Sequence, residues 1–302
     1  MTGAEQGFLL LCCHLGDPGR KVLTVAQLRN LFLRVASVPK SADDRALTCE
    51  DVVAFGYDRE NAKRIVELLS CQEQLAWYLQ KGRRENCVPI TRASAAYPPV
   101  LRQRLGLDCP GCLWAKGELS LLEKPAVALV GSRELAPNNR IFAREVGIQA
   151  ARQGYVLVSG NANGADKTAQ QAALQAGGSV ISVVADSLDI HKPTENTLYI
   201  SEDSFDMPFS PQRAISRNRI IHALAQRTFV AQCTYGKGGT WDGATRNLRN
   251  HYSPLFCFAD DSEGANALLS MGANGASLEE LSDFSALSTE TLSFFGDRDE
   301  NA

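Results

Sequence analysis

Past Pro125 the chain changes to short, mostly apolar runs at 126–130, 155–158, 180–184, 228–232 and 255–258, and nothing else in the sequence limits its fold as strongly. Between them lie amphipathic stretches at 136–153, 166–176, 214–225 and 239–249. Nearly continuous apolar runs, with no in–out alternation, must be covered on both faces, and the intervening helices can cover them. This pattern predicts a Rossmann-like α/β domain over 126–275, a doubly wound, mostly parallel sheet. Ligands of such sheets bind beyond the carboxyl ends of the strands.

The earlier part of the chain reads differently. Val25, Leu28, Leu31, Phe32 and Val35 recur at helical spacing, and Ile65, Val66, Leu68, Leu69 and Leu75 continue the pattern on a helix opening near Asp58. Residues 1–82 are therefore expected to form a small all-α domain. Residues 83–125 read as a linker, with a strand at 88–91 and turns at Tyr97-Pro98-Pro99 and Cys109-Pro110-Gly111. Residues 276–302 read as an acidic C-terminal tail.

The chain has 302 residues, 44% of them hydrophobic, which suits a folded protein of about two domains. The apolar run at 8–13 is too short to span a bilayer, and Glu5 stands where an export signal would carry positive charge, so a cytoplasmic protein without a membrane segment is expected. Nine cysteines without a repeating spacing argue for thiols rather than a disulfide framework. Zinc needs about four ligands. Cys109-Pro110-Gly111-Cys112 supplies two, and His14, His191, His222 and His251 are dispersed, so no metal site is expected and Cys109 and Cys112 read as buried side chains around a turn.

The net charge is −3, so any polyanion site must be local. Residues 210–252 carry Arg213, Arg217, Arg219, Arg227, Lys237, Arg246 and Arg249 against Asp242 alone. Such a run is either a solvated helix face or an anion-binding surface.

Three of the expected strands run into glycine. The first meets Gly131-Ser132-Arg133, the second Ser159-Gly160-Asn161-Ala162-Asn163-Gly164-Ala165-Asp166, and a later one Tyr235-Gly236-Lys237-Gly238-Gly239-Thr240. Glycine lets the backbone approach a ligand closely, and a helix starting there points its unpaired N–H groups at an anion. Three such turns at one sheet edge, with the hydroxyls of Ser132, Ser159 and Thr240, predict a phosphate cradle. Arg133 can fork onto phosphate oxygens. Asp166 either caps backbone donors or holds a basic neighbour. Arg217-Asn218-Arg219 precedes Ile220-Ile221 and is expected to line a helix with one buried face.

In combination these residues resemble the DNA-processing protein A family (DprA, also called Smf) over about 8–275. Val130-Gly131-Ser132-Arg133 matches the family's VGSR, and Ser159, Gly160, Ala162, Gly164 and Asp166 match its SGxAxGxD. Ser201-Glu202 is similar to its SE, Arg217-Asn218-Arg219-Ile220-Ile221 to its RNRII, and Gly264-Ala265-Asn266 with Met271-Gly272-Ala273 to its closing motif. The chain departs from the pattern at Asn163, Gln170, Ala214 and Gln232, which replace Arg, His, Phe and an acid.

The resemblance implies a helix-hairpin-helix-like N-terminal domain and a non-catalytic protein that binds single-stranded DNA, protects it during transformation, and passes it to the RecA recombinase. It also implies a homodimer without cofactor. The expected contacts to DNA phosphate are Gly131, Ser132, Arg133, Ser159, Gly160, Gly164, Asp166, Arg217, Asn218, Arg219, Lys237, Gly238, Gly239 and Thr240, with Tyr235, Trp241 and Tyr252 as candidates for base stacking. The alternative is a nucleotide sensor or a phosphoribohydrolase of the lysine-decarboxylase-like LOG group. Residues 236–242 partly echo that group's PGGxGTxxE, with Asp242 at the place of the glutamate.

Overall fold

The structure is a computed structural model that describes residues 1–37, 46–202 and 204–287. The chain begins with α1 (Gly3–Cys12), α2 (Val25–Ala36), α3 (Cys49–Ala54), α4 (Arg59–Ser70) and α5 (Gln72–Arg84), followed by β1 (Val88–Thr91), α6 (Pro99–Leu105) and β2 (Cys112–Gly117). Next come β3 (Ala126–Val130), α7 (Pro137–Arg152), β4 (Val156–Ser159), α8 (Ala165–Gln175), β5 (Ser179–Val184) and β6 (Thr197–Glu202). The last elements are α9 (Pro211–Ser216), α10 (Asn218–Leu224), β7 (Arg227–Val230), α11 (Gly238–Asn250), β8 (Leu255–Phe258), α12 (Glu263–Ser270) and β9 (Asn274–Ala276). This is the expected Rossmann-like α/β class with a helical N-terminal part. The chain divides into two units, Met1–Glu123 with Ile181–Ala223 and Lys124–Val180 with Leu224–Ala302.

In the first unit the helix starts are written into the sequence. Thr2, Thr24 and Thr48 form reciprocal capping boxes with Glu5, Gln27 and Asp51, and Asp58 accepts the Asn61 N–H to open α4. Leu9, Leu10, Leu28, Ile65 and Leu75 pack with an aromatic cluster in which Tyr78 stacks on Phe205 at 4.7 Å and meets Trp114 edge-on at 5.2 Å. Strands β1, β2 and β6 pair antiparallel, with Thr91 opposite Cys112 and Leu113 opposite Glu202. Cys109 and Cys112 are buried beside their turn, and the nine cysteines are thiols rather than disulfides.

In the second unit the strands β4, β3, β7, β8 and β9 lie side by side in that order, all parallel, with Val127 paired to Leu157 and Arg227. Phe142 and Val146 of α7 and Ala169 and Ala173 of α8 cover Leu129, Leu157, Phe229 and Phe256. The two helices touch backbone to backbone. A Cβ on Gly147 would fall 2.2 Å from the Ala169 carbonyl oxygen, so only glycine fits there.

Residues 276–287 are packed in this unit. Leu281 and Phe284 are fully buried, Phe284 lies 4.9 Å from Phe229, and the Gln153 side chain bonds the Leu281 carbonyl and the Phe284 N–H. Each such side chain contributes about 1.5–3 kcal/mol. The rest of the acidic segment, 288–302, lies outside the described residues.

The expected strands at 88–91, 126–130 and 255–258 keep those bounds, and the other three shift by a residue or two. The expected helix at 214–225 is broken at Arg217 into α9 and α10, where the Ser216 carbonyl is bonded by the Arg219 guanidinium at 2.6 Å. No helix among the described residues is long and apolar enough to cross a membrane.

Candidate functional site

The carboxyl ends of β3, β7 and β8 are tied together by short polar bonds. Ser132 donates its N–H and its hydroxyl to the Gln232 carbonyl, at 3.0 and 3.2 Å. The Gln232 side-chain oxygen accepts the Ala136 N–H at the start of α7, at 2.9 Å. Asn139, buried in the first turn of α7, donates to the Ala231 carbonyl at 2.8 Å and to Asp260 beyond β8. Burial pushes the Asp260 carboxyl up, but hydrogen bonds from Ser262 and Asn139 outweigh it and hold the group below the usual carboxylate range.

The turn after β4 is closed on itself. One oxygen of Asp166, a buried side chain, accepts the N–H groups of Gly160 and Ala162 at 3.0 and 3.1 Å. The Ala165 N–H goes to the Ser132 carbonyl and the Lys167 N–H to the Ala162 carbonyl. Ser159, also buried, accepts from Gln170 at 2.6 Å. Gly164 has φ +84°, and a Cβ there would sit 2.2 Å from the Arg133 carbonyl oxygen, so the two turns lie in direct contact. Gly131 abuts Ala165 in the same way. The structure thus brings Gly131, Ser132, Ser159, Gly160, Gly164 and Asp166 together, with their polar groups largely directed at one another.

The turn after β7 is open. Thr234 and Lys237 form a one-residue bridge, with Gly236 and Gly238 both at positive φ and nothing within 4 Å of where their side chains would be. Lys237 precedes α11, whose N-terminus has no side-chain cap. Tyr235, Lys237, Gly238 and Gly239 are exposed and Thr240 is half-buried. Arg133, which follows the neighbouring strand β3, is exposed and has no hydrogen-bond partner among the described residues. Helix N-termini favour anions because their first N–H groups lack intrahelical acceptors.

Arg217, Asn218 and Arg219 belong to the first unit. Arg217 and Arg219 are each 8% exposed. The Arg219 guanidinium forks onto both oxygens of Glu202, and Ser216 bonds the same carboxylate. Arg213 reaches the Ser201 hydroxyl at 2.7 Å and four backbone carbonyls, that of Glu202 among them. The Ser201-Glu202 and Arg217-Asn218-Arg219 motifs, remote in sequence, are therefore partners. Nearby, burial pushes the His222 imidazole down to about 3, and Arg217 adds to the effect.

Asp242 pairs with Arg246 at 3.3 Å, and both side chains are nearly half exposed, unlike an acid or base held in a dry pocket. Among the described residues no group of three or more His, Cys, Asp or Glu side chains could hold a metal ion. Sequence reasoning missed the framing roles of Asn139 and Asp260. The available signal was a polar residue on the face of α7 that carries Phe142, Ala143 and Val146.

Known proteins resemble this chain in sequence and in fold. The sequence model of the DNA recombination-mediator protein A family matches residues 89–286. DNA processing protein DprA of Streptococcus pneumoniae is 34% identical over 179 residues, 55% of this chain and 63% of that protein. Protein Smf of Escherichia coli is 29% identical over 180 residues, 56% of this chain and 46% of that protein. The matches thus span about half to three fifths of these relatives' own length.

Among solved structures, that of Streptococcus pneumoniae DprA superposes with a TM-score of 0.69 at 25% identity, covering 91% of this chain and 95% of that one. The Helicobacter pylori DNA processing protein A, solved for its single-stranded DNA binding mode, superposes with a TM-score of 0.54 at 28% identity, covering 64% and 93%. With two thirds of its length matched by the family's model, the chain belongs to the DNA recombination-mediator protein A family.

Proposed function

We propose that this chain binds single-stranded DNA by its phosphates, without chemistry of its own, as a DNA-processing protein of transformation and recombination. The observation that carries this reading is the contrast between two glycine turns. The β4–α8 turn spends its amides on Asp166, whereas the β7–α11 turn leaves an uncapped helix start beside exposed Lys237. Arg133 and Lys237 then supply charge, the Gly238 amide at the start of α11 supplies a donor, and the Thr240 hydroxyl adds another. Arg219 acts indirectly, by holding Glu202 and the segment around it. Little base reading is needed, so binding is tolerant of sequence and falls with salt.

The same reading has the protein work in the cytoplasm as a homodimer that shields an incoming strand and hands it to RecA; family membership supports that part. The test is anisotropy of a labelled oligonucleotide, with unlabelled single strands, duplex DNA and nucleoside monophosphates as competitors. Single strands should compete best. Equal competition by duplex or by free nucleotide would overturn the reading.

A further inference from the structure

We infer that Tyr235 is a stacking platform for one unpaired nucleobase, placed directly beside the phosphate-binding turn. The inference rests on the reading of that turn as a polynucleotide site. Tyr235 opens the turn and is 51% exposed. Its ring is held by Trp241, a turn further on in α11, edge-to-face with centroids 5.0 Å apart and planes at 75°. That arrangement consumes an edge of the pair and steadies the phenol ring.

The surroundings are cleared for a flat ligand. Gly236 and Gly238 flank Lys237, and a Cβ at either would meet nothing within 4 Å. Lys237, exposed between them, is one residue beyond Gly236, so a cation for a phosphate and a ring for the base attached to it lie within three residues. A lone exposed tyrosine needs no explanation. A buttressed ring next to a cation, on a helix start without a cap, combines the two elements by which proteins hold single strands without reading sequence. The ligand class is a polynucleotide with at least one unstacked base, in preference to a bare polyphosphate or a paired duplex.

The experiment compares full-length protein carrying Tyr235, Tyr235→Phe or Tyr235→Ala on two oligonucleotides of equal length and charge, one of thymidine and one of abasic residues. Base–aromatic stacking is worth about 1–3 kcal/mol per base, so the wild type should prefer the thymidine strand by roughly 5- to 150-fold. Tyr235→Phe should keep that preference. Tyr235→Ala should bring it close to one while leaving affinity for the abasic strand unchanged, a pattern that misfolding would not give. Equal affinity of the wild type for both strands, or an undiminished preference in Tyr235→Ala, overturns the inference and leaves the phosphate reading standing. Failure of the wild type to bind either strand overturns both.

Discussion

Replacing Asp166 with alanine tests whether the β4–α8 turn is held by its own carboxylate. One Asp166 oxygen accepts two backbone N–H groups, from Gly160 in a buried setting and from Ala162 in a partly buried one. A buried donor left without a partner costs about 1–3 kcal/mol, and hydrogen bonds to charged groups lie at the upper end of that range. Water can reach Ala162 but has little access to Gly160, so we assign about 2–3 kcal/mol to the first bond and about 1 kcal/mol to the second. The total, about 3–4 kcal/mol, is a large part of the 5–15 kcal/mol that folded domains typically possess. Asp166→Asn keeps an oxygen in place and loses only the charge assistance, about 1–2 kcal/mol. Urea denaturation followed by circular dichroism should rank wild type above Asp166→Asn above Asp166→Ala. An alanine variant within about 0.5 kcal/mol of wild type, the spread expected of ordinary surface changes, would refute this account of the turn.

Three other outcomes are expected. Arg219→Met, which leaves Glu202 buried without its cation, should cost about 3–5 kcal/mol in denaturation, and adding Glu202→Met should restore much of it. His222 is pushed down to about 3 from 6.5, so between those pH values the unfolded chain binds a proton that the folded chain refuses. Stability should therefore fall as pH drops below about 6.5, by up to about 1.4 kcal/mol per pH unit for this group, and His222→Gln should flatten the fall in denaturation midpoints. Gly164→Ala combines φ +84° with a 2.2 Å approach to the Arg133 oxygen and should cost more than about 2 kcal/mol. Gly238→Ala has the same φ but open space, and should cost only about 1 kcal/mol, as read by thermal unfolding.

What the sequence disclosed follows from which interactions are local. Strands β3 and β8 could be bounded from residues alone because parallel strands covered on both faces are apolar at every position. Strand β2 escaped notice because Lys116, whose amine reaches the Asp189 carbonyl, and Gly117 make the stretch look like part of a connector. β9 is three residues, Asn274-Gly275-Ala276, and exists by its pairing with β8.

The site was legible as glycine turns at strand ends, since that depends on local backbone geometry. Which turn is closed was not, because it depends on where Asp166 and Gln232 point. The basic run between 210 and 252 was misleading in composition for a similar reason. The carboxylate that neutralises Arg219 is Glu202, seventeen positions upstream and outside that run. Leu281 and Phe284 are the reverse case, two core residues set among acids that give their segment the composition of a tail.

The most direct test of the central claim is the salt dependence of single-stranded DNA binding by wild type and by Arg133→Ala/Lys237→Ala. Each phosphate contact on a single strand contributes about −0.7 to the slope of log K against log salt. The account predicts weaker binding by the double variant and a slope shallower by about 1.4, with the same change on any sequence. An affinity and slope indistinguishable from wild type would contradict it.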